Sequence, residues 1–345
     1  MAKIPAPFRQ NRLGQSGDIM YTQAFNVLEI LEKSDKPVET NEIATVLALS
    51  KSAVWKHINE LRQLGYDITA SEEEGYFLHD KNHDYRPHII YKHLKTKFIG
   101  RKMLFFESIP STIWYGKDLA EQGGIEEMNG LVIIAEEQTG GIGRMGRAWV
   151  SPAGGIWITI ILKPQIAIDH LFMLTLAASV SVARVLRKMY DIGALIKWPN
   201  DIIIGDKKVA GILLELGAEG AKIDYCLVGI GIDANVNLEA LNQTIRSTMT
   251  SISQEVNQDV DRAVLLAAIL KEFENRYEMI LQGEYEAVIR EWKNFSSTIG
   301  RRVRIVTLRT HFDGEAIDID PNGALVVKKD NGKIERVIAG DCIHI

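Results

Sequence analysis

The densest chemistry in the chain lies in twelve residues, Gln138-Thr139-Gly140-Gly141-Ile142-Gly143-Arg144-Met145-Gly146-Arg147-Ala148-Trp149. Four glycines let a backbone approach a ligand closely, and their amides suit an anion-binding nest. Arg144 and Arg147 add positive charge for a phosphate or a carboxylate. Gly141, Gly143 and Gly146 also satisfy the dinucleotide pattern GxGxxG after a strand-like run. That pattern demands a helix next, but Pro152 and Gly154-Gly155 follow at once. Rossmann-type binding is therefore rejected. A merely structural glycine loop would explain neither arginine.

A second cluster is Lys197-Trp198-Pro199-Asn200-Asp201, set between apolar runs. A lysine near buried surface must find an anion, because burying it unpaired is costly. Its partner is either Asp201, a carboxylate elsewhere, or a ligand phosphate or carboxylate. Lys207-Lys208 and the strand-like Val209 to Glu215 follow. Two lysine sites and two arginines in one fold read as polyanion chemistry, with ATP as a fitting polyanion. Gly229-Ile230-Gly231-Ile232-Asp233-Ala234-Asn235-Val236-Asn237 reads as a strand and then a polar loop. Glycine in such a strand usually marks close packing. The eight histidines and two cysteines form no metal-ligand spacing, and no GxSxG nucleophile is present.

These clusters need a framework, and 345 residues are enough for two or three domains. Hydrophobic content of 46% and charged content of 25% exclude a wholly disordered or fibrous chain. The net charge of -5 excludes a whole-protein basic footprint, so any DNA contact must be local. Two cysteines, Cys226 and Cys342, are too few for a disulfide scaffold and fit a reducing interior. MAKIPAPFRQ lacks an apolar secretory core, and the longest apolar run, Leu171 to Ala183, is too short for a bilayer. The expectation is a cytoplasmic protein with no membrane partner.

Residues 1–18 lack periodicity and are expected to form a mobile tail. From 19 to 80 the pattern is three short helices and a hairpin. Ala24, Val27, Leu28 and Leu31 make an apolar stripe, and Thr40 or Asn41 is expected to cap a second helix. Ser50 or Ser52 should cap a third, with Val54, Ile58 and Leu61 on one face and Gly65 at its end. That is a winged helix-turn-helix layout, its motif running from Thr40 to Asn59. Ser50, Lys51, Ser52, Lys56, His57 and Arg62 are the candidate DNA contacts. Against this, residues 21–80 carry five basic and eleven acidic side chains, so the acidic face must turn away from DNA. A protein-interaction module is the alternative. A polar linker is expected over residues 79–87. Residues 86–298 then mix strand-like runs with helices near 169–190 and 261–281, as an α+β or α/β domain of catalytic size. From 299 to 345, short strands between Asp313-Gly314, Pro321-Asn322-Gly323 and Asp330-Asn331-Gly332 suggest a small β-barrel.

Taken in order, these segments resemble the bifunctional biotin protein ligase and biotin operon repressor family. The likeness spans nearly the whole chain after residue 18. It rests on the glycine-arginine loop, the KWPND segment, the KKVAGIL strand, the GIGI strand and the closing GD-containing barrel. The resemblance implies an α+β protein: a winged helix-turn-helix, a mixed α/β ligase domain with a class II synthetase-like sheet, and an SH3-like barrel. It implies that biotin and ATP form biotinyl-5′-adenylate with release of pyrophosphate. Biotin then passes to a lysine of a biotin carboxyl carrier protein. ATP would come with Mg²⁺, and no tightly bound metal is expected. Operator DNA would be the other partner, with a homodimer in the adenylate-bound state.

Residue roles follow from the same resemblance. Ser111, Thr112, Ile113, Gln138, Gly141, Ile142, Gly143, Arg144 and Lys197 fall on biotin-site positions. Arg144, Arg147, Trp149, Asn200, Lys208 and Asn235 fall on the ATP and adenylate side. Lys197, Arg144 and Lys208 are the expected catalytic cations, and Asp201 a metal or phosphate-handling position. The chain departs from the family at Ile113, where Asn is usual, and at Ile142, where Arg is usual. Both exchanges remove polar groups, leaving backbone contacts there. The register of Asp233 to Asn237 against the family asparagine is open. Two other readings are a biotin-sensing regulator with little ligase activity and a lipoate-type ligase.

Overall fold

The computed structural model describes residues 17–63, 66–71, 75–79, 85–219, 222–307 and 310–345. The expected tail lies outside these residues except for Gly17 and Asp18, which open the first helix. Also outside are Gly65, the acidic turn before Gly75, and residues 80–84 of the expected linker. Contacts divide the chain into two units, residues 1–89 and 90–345.

The first unit contains α1 (Gly17–Glu32), α2 (Thr40–Val46), α3 (Lys51–Gln63) and a hairpin of β1 (Ile68–Ser71) and β2 (Gly75–Leu78). The apolar stripe does what its spacing requires. Ala24, Val27, Leu28 and Leu31 pack with Ile43, Val54, Ile58 and Leu61 in one buried core. Each large aliphatic side chain contributes about 1.5–3 kcal/mol by leaving water. Ser50 starts α3, its Oγ accepting from the Ala53 N–H at 3.2 Å. For α2 the expectation fails: Glu39 holds the N-cap position, with no side-chain cap, and Thr40 is already helical. Gly75 is obligatory. Its φ is +97°, and a Cβ there would sit 2.1 Å from the Val38 carbonyl oxygen. That close approach lets Val38 and Tyr76 exchange backbone hydrogen bonds and ties the hairpin to the chain before α2.

The second unit is built on a seven-stranded sheet of order β3-β4-β5-β9-β8-β7-β6. Its strands are β3 (Met103–Ile109), β4 (Val132–Gln138), β5 (Ile156–Leu162), β6 (Leu195–Lys197), β7 (Asp201–Ile204), β8 (Lys207–Glu219) and β9 (Lys222–Ile232). Only β3 and β4 run parallel; the other neighbours are antiparallel. Four helices matter here: α4 (Thr112–Glu121), α5 (Phe172–Tyr190), α6 (Arg262–Leu281) and α7 (Tyr285–Phe295). β5 is buried along its whole length, as expected for a central strand. The segment after the glycine loop runs into β5 and not into a helix, which agrees with rejecting the Rossmann pattern.

The stretch Ile168–Tyr190 is, by length and composition, long and apolar enough to cross a membrane. That corrects the shorter run read from the sequence. Most of it is nevertheless buried, because α5 packs against α6, α7 and the sheet. The chain ends in a five-stranded antiparallel sheet of order β13-β12-β11-β10-β14. Its strands are β10 (Arg302–Val306), β11 (His311–Ile319), β12 (Leu325–Lys329), β13 (Ile334–Val337) and β14 (Asp341–His344). Asp313-Gly314, expected between strands, instead lies inside β11 and pairs with β10, and β14, only four residues long, went unrecognised.

Candidate active site and DNA-facing helix

A cavity of about 570 Å³ opens where the glycine loop, the floor of β8 and β9, the β6–β7 turn and β14 meet. Its floor is made of strands that carry glycine at 211, 229 and 231. A Cβ on Gly231 would lie 2.7 Å from the Trp149 indole nitrogen, and one on Gly229 would lie 3.0 Å from Ile113 Cδ1. These glycines therefore make room for Trp149 and Ile113 to lie on the sheet. Trp157 meets Trp149 edge-to-face with centroids 6.4 Å apart. Trp157 and Trp198 complete the apolar wall.

At one end of the cavity stands a polar network from three elements. Gln138, at the end of β4, accepts through Oε1 from the Thr112 N–H (2.8 Å) and the Thr112 hydroxyl (3.0 Å). Its Nε2 donates to Ser151 Oγ at 2.9 Å. Thr159 Oγ1 donates to Thr112 Oγ1 at 2.9 Å, so the Thr112 hydroxyl is consumed inside the protein. Ser111 differs: it is buried, lines the cavity, and its hydroxyl makes no hydrogen bond among the described residues. Of the expected Ser-Thr pair, only Ser111 has a group left for a ligand. Ile113 and Ile142 both line the cavity.

Part of the backbone of the glycine loop is already hydrogen-bonded. The Gly143 N–H donates to the Arg147 carbonyl (2.7 Å) and the Trp149 N–H to the Gly141 carbonyl (2.8 Å). The amides of Thr139, Gly140 and Arg147 are also used internally. The loop folds on itself, so several of its amides are spent within the protein. Gly141 is required by packing: a Cβ there would meet the Trp149 carbonyl oxygen at 2.4 Å.

Arg144 turns inward. Its guanidinium donates to Asn200 Oδ1 (3.2 Å) and to the Gly340 carbonyl (3.1 Å). Burial lowers its pKa, opposed by Asp341 and Asp201. Arg147 turns outward and pairs with Asp341. Asn200 is fixed from both sides, since its Nδ2 donates to the Ile212 carbonyl at 2.8 Å.

The β6–β7 turn carries Lys197 and Asp201 as cross-strand neighbours. They are not ion partners. Asp201 pairs with Lys208 at 2.5 Å, and the Lys208 ammonium also lies 4.6 Å from the centre of the Trp149 ring. Lys197 lines the cavity with no carboxylate within ion-pair distance among the described residues. The anion it requires is thus left for a ligand.

Asn235 does not belong to this site. Its amide bonds both the Val260 carbonyl and the Val260 N–H at 2.9 Å, so it pins a distant loop. Strand β9 ends at Ile232, and the chain turns at Asp233-Ala234, which carries Asn235 away. Asp233 is the residue left behind. It is buried, its Oδ1 lacks a partner, and burial pushes its carboxyl well above the usual range against the pull of Lys208. The sequence reading left its register open, and it missed Asp341, Cys342 and Ile343, which β14 brings to the cavity. Burial pushes the Cys342 thiol up to about 12, so it is a neutral lining group and no nucleophile. Among the described residues, no three His, Cys, Asp or Glu side chains cluster in a way that could hold a metal. Asp201, the expected metal position, is committed to Lys208.

In the first unit, α3 sorts the candidate DNA contacts by helical period. Positions 54, 57, 58 and 61 face the core, so His57 is 4% exposed and bonded to Glu60 at 2.8 Å. Arg62 donates through Nε to the Ile68 carbonyl at 2.8 Å and holds β1. The burial of His57 corrects its place among the candidate contacts, while Arg62 is half-buried and commits its Nε to the fold. Ser50, Lys51, Ser52 and Lys56 are exposed. Trp55, 60% exposed beside Lys56, shares that face and was overlooked because an aromatic residue reads as core.

Comparison with known proteins agrees with this geometry. Residues 105–233 match the Biotin/lipoate A/B protein ligase family, residues 23–77 an HTH domain, and residues 298–345 the Biotin protein ligase C terminal domain. The bifunctional ligase/repressor BirA of Bacillus spizizenii is 35% identical over 305 residues, covering 88% of this chain and 93% of that protein. The protein of the same name from Escherichia coli K12 is 28% identical over 290 residues, covering 84% and 87% respectively. Among solved structures, the biotin protein ligase of Aquifex aeolicus in complex with biotin and ATP matches with a TM-score of 0.61 and 25% identity. That match covers 70% of this chain and 97% of the Aquifex chain.

Proposed function

The chain belongs to the family of bifunctional biotin ligase/repressors, and from that membership we propose an enzyme that adenylates biotin and a repressor that responds to the product. Biotin carboxylate oxygen attacks the α-phosphorus of ATP, forming biotinyl-5′-adenylate and releasing pyrophosphate. A lysine amine of a biotin carboxyl carrier protein then attacks the acyl carbon, forming an amide and releasing AMP. A carboxylate is a poor acyl donor, and the adenylate supplies the leaving group. No enzyme nucleophile is needed, in keeping with a neutral Cys342.

One observation carries the residue assignment: Lys197 is left without an anion in a cavity where Asp201, Lys208, Arg147 and Asp341 are all paired. We assign it to the biotin carboxylate and the α-phosphate, where negative charge grows during attack. A cation already positioned where negative charge develops stabilises that charge strongly. Arg144 closes the adenylate side. Ser111 offers the free hydroxyl, while Thr112 and Gln138 hold the wall in shape. Ile113 and Ile142 contribute apolar surface, and Trp149 covers the nucleotide side. Mg²⁺ would come with ATP as part of the substrate and would offset the negative charge of its phosphates. Asp201 is the carboxylate that would hold it, and would have to give up its pairing with Lys208 to do so.

We further propose domain limits of 19–80, 86–298 and 299–345, a cytoplasmic setting, and a homodimer when adenylate is bound. Two winged helices would then address two half-sites of an operator.

The test is Lys197→Ala. Adenylate formation should fall by about 10²-fold or more. It is measured as pyrophosphate release with biotin and ATP. Wild-type rates in the variant would remove Lys197 from the mechanism.

A further inference from the structure

The C-terminal sheet sits beside the cavity, and its contact with the lysine-bearing turn is made by a short chain of polar groups. The Trp198 N–H, on the peptide that joins it to Lys197, donates to the Thr298 hydroxyl at 3.0 Å. Thr298 is fully buried. Its hydroxyl oxygen lies 3.1 Å from His344 Nε2, at the end of β14. Having accepted from Trp198, the hydroxyl still has its own proton to give, and Nε2 is the neighbour able to take it. That requires an uncharged imidazole with Nε2 unprotonated. Burial, with Lys197 and Arg301 nearby, lowers the His344 pKa to about 4, and Asp206 opposes the shift. The ring is therefore neutral under ordinary conditions.

On the Lys197 side of the turn, further contacts come from the segment after α7 and from the C-terminal sheet. Ser297 donates to the Ile196 carbonyl through its N–H (2.8 Å) and its hydroxyl (3.1 Å). The Trp198 indole N–H donates to the Gly323 carbonyl at 3.2 Å. Lys197 itself makes no ion pair that would fix its direction. Its aim depends on the peptide it leaves from.

The geometry points to Thr298 and His344 as positioning residues for adenylation, acting through the Trp198 peptide to aim Lys197. This inference rests on the ligase reading above and deepens it. Neither residue touches the cavity's ligand space, so neither is catalytic. A misplacement of about 1 Å in a group that must meet a developing charge costs on the order of 10²-fold. Loss of one hydrogen bond at one remove should cost less, about tenfold.

The experiment is a double-mutant cycle on the full chain. Thr298→Val keeps the shape and removes the hydroxyl. It should lower kcat for pyrophosphate release about tenfold with little change in KM for biotin. Thr298→Ser and His344→Gln, which retain a donor and an acceptor, should recover most of the rate, and His344→Leu should behave like Thr298→Val. In a Lys197→Ala background, Thr298→Val should cost nothing further, because the group it aims is gone. A merely structural threonine would cost the same in both backgrounds, and that result overturns the inference. So does a wild-type kcat in folded Thr298→Val, or an equal loss in Thr298→Ser. If Thr298→Val fails to fold, His344→Leu carries the same cycle. Wild-type protein that releases no pyrophosphate would instead overturn the ligase reading itself.

Discussion

The third helix of the HTH domain, α3, and the glycine-arginine loop pose the same problem with opposite solutions. Each is a short basic stretch in an acidic chain, and each divides its cations between the fold and the outside. In α3 the division is made by a period. Residues at 54, 57, 58 and 61 turn inward, so His57 joins the interior while Lys51 and Lys56 stay in solvent. In the loop there is no period. Arg144 turns in and Arg147 turns out because of partners far along the chain, Gly340 and Asp341. A regular backbone lets neighbours decide a side chain's fate; an irregular one hands that decision to the tertiary structure.

The sharpest way to test the contrast is at Arg144, where distant partners make the largest claim. Arg144→Gly should still form adenylate but retain it poorly. A charge-assisted hydrogen bond to a buried anion is worth about 1.5–3 kcal/mol, so the dwell time should shorten by about 10- to 100-fold. Rapid filtration of labelled adenylate measures this, and biotin should appear on bystander proteins. Unchanged retention, with strict carrier specificity, would reduce Arg144 to a brace between Asn200 and Gly340.

The helix offers an intermediate effect. Lys56→Ala should weaken operator binding about three- to tenfold for every sequence tested and lower the slope of log affinity against log salt by about one. Trp55→Ala should instead change which sequence is preferred, as expected for an apolar side chain facing base edges. His57→Ala should do neither. It removes a buried hydrogen bond to Glu60 and should lower stability by about 1 kcal/mol, read as the melting temperature. A His57→Ala variant that loses operator affinity and a unit of salt slope while fully folded would break the period argument.

How far the sequence could be read follows the same line. The stripe from Ala24 to Leu31, the cap at Ser50, the helices near 169–190 and 261–281 and the GIGI run that became part of β9 were legible because they are local patterns. In the site, Lys197, Arg144, Asn200, Trp149 and Gln138 were identified and do meet in one cavity. What was illegible needed partners distant in sequence. Nothing local at Lys208 says that Asp201 will take it, or that Trp149 will lie above it. Asn235 was misplaced by a two-residue question of where β9 ends. Asp233 beside it looks like an ordinary loop acid until its burial is seen. β14 was missed because Asp341-Cys342-Ile343-His344 is too short to show alternation, yet it lines the cavity and supplies His344.

Arg147 gives the smallest effect and the closest comparison with the helix. It lies three residues from Arg144, in the same loop and with the same charge. Its side chain is 59% exposed, and its guanidinium pairs with Asp341 at the rim of the cavity. That pair raises the Arg147 pKa, but an arginine is charged at any working pH, so the shift changes no protonation state. An exposed ion pair is screened by water and salt and is worth about 0–1 kcal/mol. Arg147→Ala should therefore alter adenylation less than about threefold and lower the melting temperature by no more than a degree or two. Asp341→Asn should match it, and the double variant should add nothing, since one interaction accounts for both. If Arg147→Ala instead lengthens or shortens adenylate retention as much as Arg144→Gly does, the outward arginine must swing inward when the ligand binds. The loop would then owe its division of charge to the ligand as well as to the fold.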